Sequence, residues 1–327
     1  MTDSPVFTIV EIENDNSTEI IIKNNLTKEF VSILPGYGAR IKELWLKNGG
    51  KNISIIKKVT NIDSESRDDI FNNAKLSPFA GRIKDGKYVF NDTGYSLLVN
   101  YPEEENACHG FIYNKDFILN HKLINEAGAS CSFIHNYNGE HKGYPFKYTI
   151  EINYNLTLEN GLICSTKVTN NSKRIIPLSD GWHHYYDLGV SVDDLQLKLD
   201  VSNIIELDSR NIPTEKRKSF NEFDTPLVIR NRSFDSCFKV DSCNGKSTTQ
   251  LISTEQDIHL NIWQETGTHK YEYLVIYTPP DRGSIAIEPM TSNVDSFNNG
   301  EGLIKLSPDE EYISSFGIYL SRNGSMN

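Results

Sequence analysis

The chain has 327 residues, and its 33 lysines and arginines against 44 aspartates and glutamates give a formal charge of −11. This acidic excess is the opposite of the basic footprint of a protein that binds nucleic acid or an anionic membrane surface, so we predict neither partner. Apolar residues make up 38% and aromatic residues 10% of the chain, a composition that is typical of a folded core and excludes a disordered protein.

Targeting and redox signals point to a cytoplasmic protein. No apolar run approaches the ~20 residues of a membrane-spanning helix, and the segment from Met1 to Pro5 has neither the basic nor the apolar region of a secretory signal. The five cysteines are scattered and include no closely spaced pair, so they predict neither a zinc site nor a disulfide framework.

Strict alternation of apolar and polar residues dominates the local pattern. Over residues 148–158 the even positions are apolar and most odd positions are polar, which predicts a long strand with one buried and one wet face. The dipeptide Asn160-Gly161 then predicts a hairpin turn, and residues 162–168 return as the next strand.

The same alternation recurs along the chain. It predicts a strand over residues 195–201, another over 316–320, and a hairpin in which residues 88–90 and 95–99 flank the turn Asn91-Asp92-Thr93-Gly94. The best helical candidate is the short segment 64–74. Since no linker, repeat or shift of composition marks a boundary, we predict one domain over residues 1–327, an all-β, large antiparallel β-sandwich with few short helices.

Three isolated polar residues are candidates for a binding site, although each also has a purely structural interpretation. Arg82 stands among small and apolar residues just before a strand, where it can bind a ligand or form an ion pair. His109 precedes a glycine in a loop, and Asp235 precedes a serine in a segment that also suits a turn. A concave β-sheet face lined by such polar residues and by aromatic rings suits a sugar.

Two further candidates lie on predicted strands. In the segment 180–188, strand geometry puts His183 and Tyr185 on one face and His184 on the other, so the two histidines cannot easily serve one site together. Glu288 is a carboxylate with apolar neighbours, on a strand that we expect to end at Pro289 because proline cannot donate a ladder hydrogen bond. The structural alternatives are histidines buried in a core and a carboxylate at the rim of a sheet.

Common catalytic signatures are absent from the sequence, including the Gly-x-Ser-x-Gly elbow, the Walker loop, His-Glu-x-x-His and the dinucleotide-binding glycine motif. What remains is histidine, glutamate, aspartate and arginine on a β scaffold, which is equipment for proton transfer on a neutral polar substrate.

In their order, these segments resemble the aldose 1-epimerase (galactose mutarotase) family from about residue 36 to residue 320. The segments that carry the resemblance are Pro78-Phe79-x-x-Arg82-Ile83, Asp85-Gly86-x-Tyr88-x-Phe90, His109-Gly110, Gly143-Tyr144-Pro145-Phe146, Gly181-Trp182-His183-x-Tyr185, Asp235-x-Cys237-Phe238, Glu288-Pro289-Met290-Thr291 and Phe297-Asn298-x-Gly300-Glu301-Gly302-Leu303.

The resemblance implies a galactose mutarotase-like supersandwich that interconverts the α and β anomers of free aldohexoses such as glucose or galactose. It assigns the catalytic base to Glu288, the catalytic acid to His183, and binding of the sugar to Arg82, His109 and Asp235. The partner is then a monosaccharide, no cofactor or metal ion is needed, and we expect a monomer or a weak dimer.

Anomer exchange by ring opening needs one group that takes the proton of the C1 hydroxyl and one that protonates the ring oxygen. A carboxylate with a pKa of ~4.3 and an imidazole with a pKa of ~6.5 suit these tasks at neutral pH and predict a bell-shaped pH dependence. We expect Glu288 and His183 to face each other across a gap about as wide as one hexose.

Two departures from the family pattern stand close to these residues. Gly81 occupies a position where the family commonly has asparagine, so a hydrogen-bonding side chain is lost. Tyr186-Asp187 replaces Phe-Asn, which we expect to add a hydroxyl and a charge near the site.

Three other functions remain open at this point. A hexose-6-phosphate 1-epimerase would need further cations near Arg82, for which Lys84 and Lys87 are the nearest in sequence. A non-catalytic sugar-binding β-sandwich would bind sugar without speeding anomer exchange. A glycosidase could draw its two carboxylates from Glu288 and Asp235.

Overall fold

A computed structural model describes residues 5–14, 17–62, 64 and 66–321 of the chain. The strands are β1 Phe7–Asn14, β2 Ser17–Asn24, β3 Phe30–Leu34, β4 Arg40–Asn48, β5 Lys51–Ser54, β6 Ala74–Leu76, β7 Arg82–Lys84, β8 Lys87–Phe90, β9 Thr93–Ser96, β10 Asn106–Cys108, β11 Ile118–Ile124, β12 Gly128–Tyr137, β13 Tyr148–Thr157, β14 Gly161–Asn170, β15 Ile176–Leu178, β16 Gly181–Tyr186, β17 Gln196–Leu199, β18 Val201–Leu207, β19 Pro213–Ser219, β20 Leu227–Val228, β21 Asp235–Val240, β22 Lys246–Ser253, β23 Ile258–Glu265, β24 Tyr273–Tyr277, β25 Ile285–Met290, β26 Ile304–Leu306 and β27 Glu311–Leu320. The short helices are α1 Arg67–Ile70 and α2 Ser296–Asn299, with a 3₁₀ turn at Val192–Asp194.

Three antiparallel sheets organise these strands. The first has the order β1-β2-β3-β4-β5, the second β11-β12-β13-β14-β27-β23-β22-β17-β20, and the third β19-β18-β21-β24-β25-β16-β6. Three two-stranded pieces, β7 with β10, β8 with β9 and β15 with β26, complete the pairing. The predicted all-β antiparallel sandwich is confirmed. No helix in the described part of the chain is long and apolar enough to cross a bilayer.

The core contains apolar side chains from all three sheets, among them Ile22 of β2, Ile152 of β13 and Ile287 of β25, because alternating strands turn their apolar faces inwards. The ring of Trp182 on β16 lies 6.1 Å from that of Tyr154 on β13 and 5.5 Å from that of Phe316 on β27, measured between centroids. A second, smaller apolar cluster, which includes Phe71, Cys237 and Met290, lies on the opposite face of the third sheet. The strands of that sheet are therefore covered on both faces.

Both predicted hairpins exist, but their turns differ from the prediction. Thr157 pairs with Gly161, so the first loop is the three residues 158–160, and Gly161 takes the left-handed conformation that such loops favour. In the second hairpin Asn91 and Asp92 both have positive φ, at 47° and 60°, which is the two-residue turn that matches strand twist. Residues 93 and 94, expected in the turn, therefore belong to β9.

Two other expectations about single elements are wrong. The alternation over residues 195–201 is divided at Asp200 between β17 in the second sheet and β18 in the third, because the chain crosses there from one sheet to the other. Alternation of side chains cannot show such a crossing, since both strands keep their apolar residues towards the same core. The helical candidate 64–74 yields only the single turn α1, and residues 63 and 65 lie outside the described residues.

Candidate active site

Strand β16 carries two functionally different faces. His183 and Tyr185 project to the outer face of the third sheet, where their rings stack at 4.9 Å. His184 projects inwards and its ring stacks on Trp182 at 5.1 Å and lies 5.2 Å from Phe316. The assignment of the two histidines to opposite faces, made from alternation alone, agrees with this geometry, and only His183 reaches a cleft.

His183 and Glu288 are in contact. The register of β16 against β25 pairs His184 with Ile287, which brings the preceding and following residues side by side on the outer face. His183 Nε2 lies 3.4 Å from Glu288 Oε1, and the two residues are only 7% and 1% exposed. The expectation of a hexose-wide gap between them is wrong, because they occupy neighbouring strands of one sheet and not opposite walls.

Strand β25 does not end at Pro289 as expected. It continues to Met290, and Pro289 lies opposite Leu274 of β24. Along the other edge of β25, the pairing with β16 includes His184–Ile287 and Gly181–Met290. Glu288 and Pro289, which lie between these two pairs, are not paired with β16. Pro289 has no N–H to donate to β16, which explains the gap in the pairing of the two strands. The gap lies next to the carboxylate of Glu288, because the two residues are adjacent in the chain.

A cleft with an empty volume of about 780 Å³, which includes space open to solvent, lies over this face of the third sheet. All five candidate residues from the sequence line it. The lining consists of Asp68, Gly81, Arg82, Tyr101, Glu104, His109, His183, Tyr185, Leu207, Asp235, Ser236, Cys237, Val275, Tyr277, Glu288, Met290 and Val294.

The β7–β10 pair brings Arg82 and His109 to the cleft. Arg82 pairs with Cys108 across this small ladder, and the His109 backbone N–H donates to the carbonyl of Gly81 at 3.0 Å. His109 has a φ of 67°, a left-handed conformation that is uncommon for a residue with a side chain. This loop turns the His109 ring to within 5.3 Å of the His183 ring.

Arg82 is part of an ion-pair network that sequence reasoning only partly anticipated. Its guanidinium binds Glu104 through Nε and also through a terminal nitrogen at 3.3 Å, and the same terminal nitrogen lies 3.7 Å from Asp235 Oδ2. Asn211 Nδ2 donates to Asp235 Oδ2 at 3.2 Å. Glu104 was missed, although the acidic run of residues 103–105 shortly before His109 was a visible signal.

Other lining residues had no distinct signal in the sequence. The Tyr185 hydroxyl donates to Asp68 Oδ1 at 3.3 Å, which ties α1 to the stacked ring pair. Tyr277 comes from β24, where it pairs with Asp235. Their places in the cleft follow from the order of strands in the third sheet, which local patterns do not reveal.

Burial shifts the pKa values of His183 and Glu288 away from those of the free side chains. Removal from water lowers the pKa of His183 to about 3 and, with Asp235 nearby, raises the pKa of Glu288 well above its usual range. Burial also lowers the pKa of His109 well below the ordinary value. Both shifts favour the neutral forms of His183 and Glu288 over the protonated histidine and ionised glutamate that the ordinary pKa values predict.

Several polar atoms at the cleft lack a partner. Within the described residues, Nδ1 of His109, Nδ1 of His183 and Oε2 of Glu288 are buried and make no hydrogen bond. Buried polar atoms are normally satisfied. These three, all on residues that line one cleft, therefore suit a ligand rich in hydroxyl groups.

The two departures from the family pattern have different outcomes. Gly81 lines the cleft with a φ of +69°, and a Cβ atom there would lie 3.3 Å from Val294 Cγ2. Tyr186 is fully buried on the inner face, and Asp187 accepts a hydrogen bond from the Gly189 N–H in the following turn. The expectation that this pair adds a hydroxyl and a charge near the site is wrong, since neither residue lines the cleft.

Comparisons with known proteins show the family of the chain and its fold. A family profile described as Aldose 1-epimerase matches residues 19–319. A galactose mutarotase-like protein of Clostridium acetobutylicum superposes with a TM-score of 0.84 at 23% identity over 97% of this chain and 99% of its own. A galactose 1-epimerase of Lactobacillus acidophilus gives a TM-score of 0.79 at 17% identity over 98% and 100% of the two chains. The uncharacterized Escherichia coli protein YihR is 24% identical over 261 residues, which are 76% of this chain and 78% of that protein.

Proposed function

The chain belongs to the aldose 1-epimerase family, and we propose that it interconverts the α and β anomers of free aldohexoses such as glucose or galactose. The observation that carries the proposal is the 3.4 Å contact of His183 Nε2 with Glu288 Oε1 on the floor of an open cleft. An acid–base pair held at this distance is the minimum equipment for opening and reclosing a pyranose ring.

The chemistry needs one proton to leave the C1 hydroxyl and another to reach the ring oxygen. Cleavage of the C1–O5 bond gives the open aldehyde, rotation about C1–C2 presents its other face, and the reverse transfers close the other anomer. Two positioned proton transfers contribute about 10²–10⁴-fold each. Protons and electrons balance within the sugar and the pair, so no redox step is involved.

One proton on the pair is sufficient for this cycle, wherever it resides. The form with the proton on Glu288, which the direction of both pKa shifts favours, would offer an acid at the carboxyl and a base at His183. Transfer of that proton across the 3.4 Å contact gives the form in which Glu288 is the base and His183 the acid, as the family resemblance assigns. The two forms bind the same number of protons and titrate as one unit.

The sugar would be held by the remaining residues of the cleft. The Asp235 carboxylate can accept and the Arg82 guanidinium can donate hydrogen bonds at one end, and Nδ1 of His109 is free within the described residues. The rings of Tyr101 and Tyr185 line the same space and suit the C–H faces of a pyranose.

The geometry favours a free sugar over the three alternatives. A phosphate needs paired cationic donors, yet Arg82 is the one lysine or arginine of the lining within the described residues, and Lys84 and Lys87 are exposed outside it. A pure sugar binder has no need of an acid–base pair. A two-carboxylate glycosidase would leave the contact of Glu288 with His183 without a purpose.

Polarimetry of freshly dissolved α-D-glucose and α-D-galactose, with and without protein, tests the proposal. We expect a faster approach to the equilibrium rotation with at least one sugar, and an acceleration that is lower by about 10²–10⁴-fold with Glu288→Gln. Equal rates for both proteins and buffer on both sugars would contradict an epimerase. Release of reducing ends from an oligosaccharide would instead indicate a glycosidase.

A further inference from the structure

The charges that line the cleft do not balance. Among the described residues, three carboxylates besides Glu288 line it, those of Asp68, Glu104 and Asp235, against the single guanidinium of Arg82. Arg82 is also already engaged, since Glu104 binds two of its nitrogens and Asp235 lies 3.7 Å from one of them. As far as the described part of the chain extends, a ligand in this cleft therefore meets more carboxylates than cations and no unpaired cation.

Contacts with Arg210 and Asn211 hold Glu104 in place. The Nε–H of Arg210 donates to the Glu104 backbone carbonyl at 2.8 Å, and a terminal nitrogen of Arg210 binds Asp85 at 2.7 Å. Asn211 Nδ2 lies 3.5 Å from Glu104 Oε1. The Glu104 side chain is only 20% exposed, and that of its partner Arg82 only 14%. These contacts make Glu104 a fixed part of the cleft wall and not a mobile surface charge.

Such an arrangement discriminates between sugars by their charge. Inside a cleft the effective dielectric constant is well below that of water, so repulsion between fixed carboxylates and an anionic substituent is weakly screened. A neutral hydroxyl can donate to the same carboxylates, and an ammonium group can form charge-assisted hydrogen bonds with them. An anionic group would have to compete with Glu104 for Arg82.

We propose that Glu104 determines the charge class of the substrate: by occupying Arg82 it makes the cleft accept neutral aldohexoses and protonated amino sugars and reject sugars that carry a carboxylate or a phosphate. The proposal rests on the proposed function, because it concerns the substrate of the same site. Glu104 acts here as a specificity-determining residue, and it takes no part in the proton transfers at His183 and Glu288.

The experiment compares kcat/KM for glucose, glucosamine, glucuronate and glucose 6-phosphate, with spontaneous anomerisation subtracted, at a pH at which the amine is protonated. For the unaltered protein we expect glucosamine to be at least as good a substrate as glucose, and both acidic sugars to be worse by about tenfold or more. Glu104→Gln frees Arg82 and is expected to raise the acidic-to-neutral ratio by about tenfold.

Glu105→Gln is the matched control. It removes the same charge from the next residue, whose side chain is 75% exposed and does not line the cleft. We expect this variant to leave the acidic-to-neutral ratio unchanged. A comparable rise of the acidic-to-neutral ratio in both variants would mean that the net charge of the protein, and not the position of Glu104, determines the preference for neutral sugars.

The outcomes separate this inference from the proposed function. Equal turnover of glucose and glucuronate by the unaltered protein, or an unchanged ratio in Glu104→Gln, would overturn the role of Glu104 and leave the epimerase proposal intact. Failure to accelerate any sugar would contradict the epimerase proposal. If Glu104→Gln is inactive on every sugar, calorimetric titration with glucuronate and with glucose tests the proposal instead. The variant is then expected to raise the ratio of the glucuronate affinity to the glucose affinity by about tenfold.

Discussion

His183 Nε2 lies 3.4 Å from Glu288 Oε1, while the other ring nitrogen and the other carboxyl oxygen make no hydrogen bond within the described residues. Each residue thus has one atom turned to its partner and one available to a ligand. Because the two side chains are in contact and the proposed cycle passes a proton between them, the pair should behave as one functional unit.

Removing either member of the pair should therefore cost about as much as removing both. We expect Glu288→Gln and His183→Gln each to lower kcat/KM by about 10²–10⁴-fold, and the double variant to be little worse than either. Polarimetry gives the rates, and circular dichroism confirms that the variants are folded. His184→Phe is the control and should retain activity, because His184 lies on the inner face. If the fold-reduction in kcat/KM of the double variant equalled the product of the two single reductions, the pair would not act as one functional unit.

The pH dependence of kcat/KM should be bell-shaped, with its acid limb at a lower pH and its alkaline limb at a higher pH than free histidine and glutamate side chains would give. Activity requires one proton on the pair, and a second proton adds to His183, whose pKa burial lowers from 6.5 to about 3. The last proton leaves from Glu288, whose pKa burial raises well above 4.5. We expect activity to persist at pH 5 and to fall on the alkaline side. An acid limb at the ordinary histidine value of 6.5 would contradict the shift.

Folding stability should decline in acid because of the buried histidines. The pKa of His183 and of His184 is about 3 in the folded chain against 6.5 for an ordinary histidine, so the unfolded chain binds more protons between these values. Stability is thus lost as the pH falls through that window, by about 2 kcal/mol per histidine at pH 5.

His184→Phe isolates one of these contributions. Urea denaturation at pH 7.5 and pH 5 should show a loss on acidification smaller by about 2 kcal/mol in the variant. The difference between the two pH values is the measure, since any strain from the larger ring is the same at both. An equal loss in both proteins would contradict the buried neutral state of His184.

A buried ion pair directly behind β16 should be important for stability. Lys75 Nζ donates to Asp180 Oδ2 at 2.5 Å, both side chains are fully buried, and the hydroxyls of Tyr271 and Tyr312 donate to the same oxygen at 3.2 Å. Asp180→Asn leaves the ammonium without its counter-charge and should cost about 3–5 kcal/mol in urea denaturation. The double variant Lys75→Met/Asp180→Asn should be more stable than Asp180→Asn alone, and the opposite order would contradict this account.

Gly81 offers a test of the departure from the family pattern. Its φ of +69° is accessible to asparagine, and the new Cβ would lie 3.3 Å from Val294 Cγ2, so a small shift of Val294 suffices. We expect Gly81→Asn to fold and to lower KM for aldohexoses more than it changes kcat, because it adds a hydrogen-bonding group to the cleft. Gly81→Ala adds only the Cβ, and an equal effect of the two variants on KM would contradict a role for the amide.

Local patterns were sufficient for one part of this structure. Side chains alternate along any extended strand, so the sequence by itself determined the all-β class, the long strands β13 and β14, and the opposite faces of His183 and His184. The family resemblance pointed to five candidate residues, and all five line one cleft.

Only the tertiary structure decided which of these residues touch and in which direction burial shifts their pKa values. The contact of His183 with Glu288 depends on the register of β16 against β25, and the engagement of Arg82 by Glu104 depends on the meeting of β7 with the loop before β10. The raised pKa of Glu288 and the lowered pKa of His183 arise from desolvation by residues distant in the sequence. Strand faces follow from the dihedral angles of a short segment, whereas contacts and protonation follow from long-range packing, which no local pattern contains.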